Sequence, residues 1–168
     1  MKQLKTLVTI VVLFGALSFT NAQSKIAHIN VQKLLSEMPE MKAAQAELKK
    51  LEDTYKTDLQ SSFQEFQNKA KLYESEAPSK TQAENEKRAL ELQNFEKNLG
   101  EAQQTASQEL QKKQAELYQP ILKKANDAVQ KVAKSQGFQY VLDASPGAGV
   151  ILAEGKDLLA EVKKELGF

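Results

Sequence analysis

The feature that most constrains the fold of this chain is a long, regularly spaced series of apolar and small residues that begins after Pro39. Up to Ala77 these residues recur in steps of three and four, which average close to the 3.6 residues of a helical turn. They are Met41, Ala44, Leu48, Leu51, Tyr55, Leu59, Phe63, Phe66, Ala70 and Tyr73. The spacing predicts one amphipathic helix about 55 to 60 Å long at a rise of 1.5 Å per residue.

The helical pattern is interrupted at "YESEAPSKTQAENE" and then resumes. Pro78 lacks a backbone donor and disfavours helical geometry in the residue before it, so the first helix is predicted to end near Ala77. Ser79 and Gln82 have the spacing of a capping box and are predicted to begin the next helix. Apolar residues then recur from Leu92 to Val132, and Gly137 suits the left-handed residue that ends a helix. Residues 41–119 are therefore predicted to form a helical hairpin arm, with its tip near residues 74–82.

The segments that flank this arm have a different pattern. A strand is predicted at Lys25–Ile29, with Asn30 capping a short helix after it. Two further strands, at 138–143 and 150–153, are predicted to be joined by a hairpin turn rich in Pro and Gly, and Asp157 is placed to cap a last helix. The prediction is an α+β fold, in which residues 23–40 and 120–168 form a small body and the arm is inserted between them.

The size of this body predicts self-association. Some sixty residues are close to the limit at which one hydrophobic core stabilises a domain, and short strands leave unpaired edges. Both difficulties are removed if the strands of several copies pair. The residues assigned to these oligomerisation strands are Ile26, Ile29, Val141, Leu142, Val150 and Ile151. The sequence gives no copy number.

Residues 1–22 have the composition of a cleaved signal peptide. Lys2 and Lys5 precede an apolar run from 7 to 17, and small residues end the segment, so cleavage is predicted between Ala22 and Gln23. The alternative, a retained membrane anchor, is disfavoured because the run is shorter than the ~20 residues that span a bilayer. Cleavage leaves 21 of the 23 basic residues against 22 acidic ones, a net charge of −1. This balance argues against nucleic acid as a partner.

The sequence offers little for catalysis, and no catalytic, cofactor or metal site is predicted. His28 is the only histidine and Cys is absent, so the usual zinc or iron ligands are lacking. The stretch "PGAGVILAEG" lacks the glycine spacing of a nucleotide-binding loop, and a turn between strands is favoured over a phosphate site. We therefore predict a protein that is not an enzyme and has no small-molecule substrate.

The apolar stripe of the arm has two interpretations. Most of its residues are expected to hold the two helices together as a coiled coil. Leu72 and Leu90 lie off this stripe near the tip, where solvent is expected, and such exposed apolar positions indicate contact with another molecule. With Tyr73 and Phe66 they are the candidate client-contacting residues.

The order of these elements, together with "INVQKLLSEMPEMKAAQAEL", "GFQYVLD" and "GKDLLAEV", resembles the Skp (OmpH) family of periplasmic chaperones over the whole mature chain. The resemblance implies a homotrimer with a small central barrel of strands and three helical arms around a cavity. It further implies that the arms hold unfolded outer-membrane β-barrel proteins without ATP, in the periplasm. Well-known members are strongly basic and this chain is not, so contact with lipopolysaccharide or membranes is not carried over. The alternative is a structural coiled-coil protein of the envelope that holds no client.

Overall fold

The computed structural model describes residues 25–168; the predicted signal peptide and its cleavage site at Ala22 and Gln23 lie outside these residues. Within these residues the fold combines three short strands with four α-helices. In chain order the elements are β1 (Ile26–Ile29), α1 (Val31–Glu37), α2 (Pro39–Glu76), a 3-10 turn (Ala77–Ser79), α3 (Gln82–Ser135), β2 (Tyr140–Asp143), β3 (Lys156–Asp157) and α4 (Leu159–Leu166). The predicted α+β fold class is confirmed.

The three strands form one small sheet in the order β2-β1-β3, and both outer strands run parallel to β1. In the register of this sheet Ala27 lies beside Val141, and Ile26 lies beside Tyr140. Because side chains alternate across a strand, the sheet has two different faces. Ala27 and Ile29 are buried on one face, whereas Ile26 on the other face is exposed.

The prediction of a strand at Val150–Ala153 is wrong for this chain. Residues 150–153 are irregular, and the third strand is Lys156–Asp157 instead. The predicted hairpin turn is also wrong, since β2 and β3 lie on opposite edges of β1 and are parallel. Val150 and Ile151 have the β-branched side chains typical of strands, but within residues 25–168 no strand pairs with them.

The core of the body lies between the buried face of the sheet, the ends of the arm and the last helix. Its most deeply buried large side chains are Ile29, Leu34, Met38, Leu158 and Val162. The α1 helix is fixed to β2 by a polar cluster, in which Ser145 Oγ accepts a hydrogen bond from Gln32 N at 3.0 Å. Asn30 caps α1 as predicted, because its side chain accepts a hydrogen bond from Lys33 N at 2.7 Å. This packing joins the two ends of the described part of the chain into one body.

The arm is an antiparallel pair formed by α2 and most of α3. The α2 helix has 38 residues, which gives a length of about 57 Å, and Pro39 occupies its first turn as predicted. The α3 helix has 54 residues and continues through Pro120 into the body. Ion pairs join the two helices near the body, Glu40 to Lys124 at 2.5 Å and Glu47 to Lys113 at 2.7 Å. The arm therefore extends directly from the core.

The reversal at the tip differs from its prediction in one respect. The first helix ends at Glu76, as expected from Pro78, but Thr81 and not Ser79 caps the second helix. The Thr81 side chain accepts from Glu84 N, and the Glu84 carboxylate accepts from Thr81 N at 2.9 Å. Ser79 instead donates to the carbonyl of Glu76 at 2.7 Å. Ser79 is part of the 3-10 turn, and the cap lies two residues further along the chain at Thr81.

Candidate functional site

The outer half of the arm exposes large apolar side chains to solvent. Leu72 on α2 and Leu90 on α3 are 51% and 59% exposed. Both lie near the tip on the solvent faces of their helices, and neither belongs to the apolar stripe that packs between the helices, called the seam below. The structure therefore leaves both of these candidate residues free to contact another molecule.

Phe66 and Tyr73, the other two candidates, are half-buried between the helices of the arm. The Phe66 ring packs against Phe95 with 5.7 Å between ring centroids. The Tyr73 hydroxyl donates a hydrogen bond to Glu91 at 2.7 Å. Their side chains therefore hold the two helices together, and they offer less surface to a partner than Leu72 and Leu90 do.

Phe63 is exposed, although the sequence pattern assigned it to the seam. Its side chain is 48% exposed, while its neighbour Ser62 is partly buried. The spacing contains a signal for this: Leu51, Tyr55, Leu59 and Phe63 follow one another in three steps of four. Each such step turns the side chain about 40° further round the helix, so Phe63 lies about 120° from Leu51. Phe63 therefore joins the exposed apolar residues of the outer arm.

A polar network ties the two helices together close to the tip. Glu91 accepts hydrogen bonds from Lys69 Nζ at 2.6 Å and from the Tyr73 hydroxyl at 2.7 Å. Arg88 pairs with Glu76 at 2.6 Å and also lies 4.5 Å from the centre of the Tyr73 ring. The network therefore links the two helices in the part of the arm that contains Leu72 and Leu90.

The network shifts the pKa values of Glu91 and Lys69. The hydrogen bond from Lys69, with a second one from Tyr73, holds the pKa of Glu91 below its ordinary value of 4.5. The same contact with Glu91 raises the pKa of Lys69 above its usual value. Both shifts favour the charged forms, so the ion pair is complete at neutral pH.

The charges of the outer arm are nearly balanced and slightly acidic. Residues 60–105 contain six basic and eight acidic side chains. Several of them are paired, including Lys97 with Glu101 at 3.6 Å along one helix. Such a surface gives little general attraction to acidic chains.

The body presents a second apolar surface, on the exposed face of the sheet. Ile26, Tyr140 and Leu142 all lie on this face, and each is exposed. His28 lies between them and its Nε2 atom is 3.1 Å from the carbonyl oxygen of Gly155, which gives it a structural contact. Two of the residues predicted to mediate oligomerisation, Ile26 and Leu142, therefore lie on this exposed face, whereas Ile29 is buried in the core.

Within residues 25–168 no group of His, Cys, Asp or Glu side chains is arranged to hold a metal ion. In the same part of the chain, no helix combines the length and the apolar character that crossing a membrane requires. The fold and these surfaces define an α+β protein whose long helical arm exposes apolar side chains along its outer half.

Comparison with known proteins gives the family. Residues 25–166 match the sequence model of the family described as outer membrane protein (OmpH-like). Since this match spans most of the chain, the protein belongs to the OmpH-like family. The predicted resemblance is thereby confirmed.

Individual relatives agree with this assignment. The chain is 30% identical over 167 residues to chaperone protein Skp of Photorhabdus luminescens, covering 91% of this chain and 94% of that protein. It is 26% identical over 155 residues to chaperone protein Skp of Pectobacterium atrosepticum, covering 90% and 91%. The fold is similar to that of an OmpH-like outer membrane chaperone from Caulobacter crescentus, with a TM-score of 0.76 and 20% identity over 86% of this chain and 85% of the other.

Proposed function

We propose that this protein is an ATP-independent holdase of the periplasm, which binds unfolded outer-membrane β-barrel proteins between its helical arms and keeps them from aggregating. The family and the relatives named chaperones support a chaperone role. The observation that carries the proposal is the arm itself. It extends far from the body and exposes Phe63, Leu72 and Leu90 along its outer half.

The proposed mode of holding is many shallow apolar contacts inside an enclosed space. One exposed leucine or phenylalanine contributes at most 1 to 2 kcal/mol, roughly, because burial against a disordered client is partial. Several arms around one client multiply such contacts without fixing a single bound structure. This arrangement keeps the client unfolded and lets it leave without a nucleotide-driven step.

The proposal also includes a homo-oligomer, with three copies as the family resemblance implies. The exposed face that contains Ile26, Tyr140 and Leu142 supports it, since an apolar sheet face on a small body is typical of an interface. Copies that pair through their bodies would place their arms around a common space. Residues 23–40 and 120–168 would then act as the assembly body, and residues 41–119 as the arm.

The direct test is suppression of aggregation. The purified mature protein, in buffer without nucleotide, is expected to keep an unfolded outer-membrane β-barrel soluble at stoichiometric amounts, as measured by light scattering during dilution from urea. Added ATP should change nothing. If the barrel aggregates as fast as it does alone, the protein holds no client, and the structural coiled-coil alternative is favoured.

The contribution of the exposed arm residues is tested by the triple variant Phe63→Ser, Leu72→Ser and Leu90→Ser. Each lost contact contributes only a small part of the binding free energy, so we expect the affinity for the unfolded barrel to be about tenfold to hundredfold weaker. Fluorescence titration measures this affinity. Helicity and oligomeric mass should be unchanged. A matched control replaces three exposed polar residues of the same helices, with Gln60→Ser, Lys71→Ser and Lys87→Ser.

The affinity of the unchanged protein should vary little between low and moderate salt, although the screening length shortens. An affinity that collapses with salt, together with a silent triple variant, would show that charge holds the client.

A further inference from the structure

A stripe of uncharged polar side chains runs along the middle of α3. Its members follow one another in steps of four, four and three residues, so they share one face of the helix. All are exposed, and they are Gln103, Ser107, Gln111 and Gln114. We call this set the uncharged stripe, and at a rise of 1.5 Å per residue it is about 17 Å long. Within residues 25–168, none of its side chains takes part in a side-chain hydrogen bond.

The uncharged stripe lies on one side of the seam. Three of its members line a groove between the helices together with Leu110 of the seam and with Leu48 and Glu52 of α2. On a helix, a residue four positions on lies about 40° round in one direction, and a residue three positions on lies about 60° round in the other. Gln114 is four residues after Leu110, whereas Lys113 is three residues after it. Gln114 and Lys113 therefore lie on opposite sides of the seam.

The ion pairs between the helices mark the other side. Lys113 pairs with Glu47 of α2 at 2.7 Å. Nearer the tip, Lys69 is three residues after Phe66 of the seam, and it pairs with Glu91 at 2.6 Å. These contacts give the arm a charged side, where the helices are joined by ion pairs, and an uncharged side, which carries the stripe.

Phe63 belongs to the uncharged side. It follows Glu52, which lines the groove, by eleven residues, and eleven residues are close to three full helical turns. Its side chain is 48% exposed. The uncharged side therefore combines exposed amide groups with one exposed aromatic ring nearer the tip.

The chemistry of the stripe matches that of a peptide backbone. A glutamine amide has a carbonyl acceptor and N–H donors, as a peptide group does. An unfolded chain presents the complementary N–H and carbonyl groups at every residue except proline, and these groups carry no net charge. At about 3.3 Å per residue, roughly five residues of an extended chain would span the stripe. A neutral surface of this kind favours a neutral partner group over the charged side chains of a partner.

We infer that the uncharged stripe binds extended segments of unfolded polypeptide through their backbone, while Phe63 contacts an apolar side chain of the same segment. The inference rests on the holdase function proposed above and names the chemical group of the client that is recognised. Because every unfolded chain has the same backbone, this contact is independent of the client's sequence and net charge. It adds the middle of the arm to the contact surface near the tip.

Replacement of the amides by methionine separates hydrogen bonding from apolar contact. The pair Gln103→Met and Gln114→Met keeps the side-chain length and the helix propensity but removes both amides. Since the net effect of one hydrogen bond is modest, we expect the affinity for an unfolded outer-membrane β-barrel to fall about three- to tenfold. Fluorescence titration measures this affinity, and circular dichroism should show unchanged helicity.

The chain offers a matched control. Gln108 and Gln119 are exposed glutamines of α3 that are also eleven residues apart. They lie about 140° round the helix from Gln103 and Gln114. The pair Gln108→Met and Gln119→Met should therefore bind the client with the affinity of the unchanged protein.

Succinylation of the client's lysines tests whether the backbone is the recognised group. The modification makes the same unfolded barrel more acidic and leaves its backbone unchanged. The methionine pair in the stripe should therefore weaken the binding of both forms by the same factor. A loss that is confined to one form would show that charged side chains of the client contact the stripe, and it would overturn the inference.

The remaining outcomes are distinct. Equal or tighter binding by the methionine pair would mean that the stripe is only solvated or makes apolar contacts, and either result would overturn the inference. A changed oligomeric mass without client would assign the stripe to a neighbouring copy and would overturn it as well. Suppression of aggregation by the unchanged protein separates the two proposals. If it persists, only this inference fails, whereas its absence would contradict the holdase function itself.

Discussion

At the scale of single residues, Glu91 organises the tip of the arm. It accepts hydrogen bonds from Lys69 and Tyr73 across the two helices, and Tyr73 in turn supports Arg88. The exposed Leu72 and Leu90 lie next in sequence to Tyr73 and Glu91 of this network. We propose that these polar contacts keep the two helices aligned where Leu72 and Leu90 contact the client.

Acidification should loosen this network. The pKa of Glu91 is lowered in the folded chain, so its stabilising effect is complete above its ordinary value of 4.5 and is lost as the pH falls below that value. We expect hydrogen-exchange protection factors around residues 69–91 to fall between pH 7 and pH 3. Protection factors are used because they remove the pH dependence of the intrinsic exchange rate.

The variant Glu91→Gln should show the loosened tip already at pH 7 and respond little to further acidification. Glu74→Gln is the matched control, because Glu74 is an exposed carboxylate of the same region that forms none of the ion pairs within residues 25–168. Equal protection in Glu91→Gln and the unchanged protein at pH 7 would mean that the apolar seam alone holds the tip.

At the scale of elements, the start of α3 depends on the Thr81 cap. Thr81→Ala removes the side-chain acceptor for Glu84 N and is expected to destabilise the first turn of the helix by about 1 kcal/mol. Ser79→Ala should change this turn little, because the Ser79 hydroxyl bonds the preceding turn. Site-resolved hydrogen exchange of residues 82–86 measures both effects. A larger loss of protection in Ser79→Ala than in Thr81→Ala would contradict the capping box seen here.

The helices could be predicted from the sequence because the residues on the buried face of a helix recur every three or four positions. The reversal at Pro78 and the cap at Asn30 were predictable for the same reason, since both depend on neighbouring residues. Phe63 was misassigned because one apolar series was followed through three steps of four. A side chain can leave the seam while the series itself continues.

The strands were harder to predict because a strand is defined by a distant partner. Lys156–Asp157 has no strand pattern, and it pairs only because β1 presents His28 and Ala27 to it. Val150 and Ile151 have the pattern, but no strand of the described part of the chain pairs with them. Within the candidate site, the exposure of Leu72 and Leu90 followed from helical spacing. The contacts of Glu91 could not be predicted, because they depend on how the two helices align.

At the scale of the whole molecule, a small body carries a long arm. The body is close to the size below which a single domain is only marginally stable. It also exposes an apolar sheet face and an apolar groove. The arm has the opposite character, since only a narrow seam holds its two helices. We attribute assembly to the body and client contact to the arms, which can then adapt to a client without loss of the oligomer.

The mass of the protein in solution, with and without an unfolded outer-membrane β-barrel, tests this account most directly. Light scattering coupled to size exclusion should show one defined oligomer of the mature chain at micromolar concentration. With the client it should show a single soluble complex, heavier by the mass of one barrel chain. A folded monomer, or an oligomer whose mass stays unchanged while the client aggregates, would contradict the account.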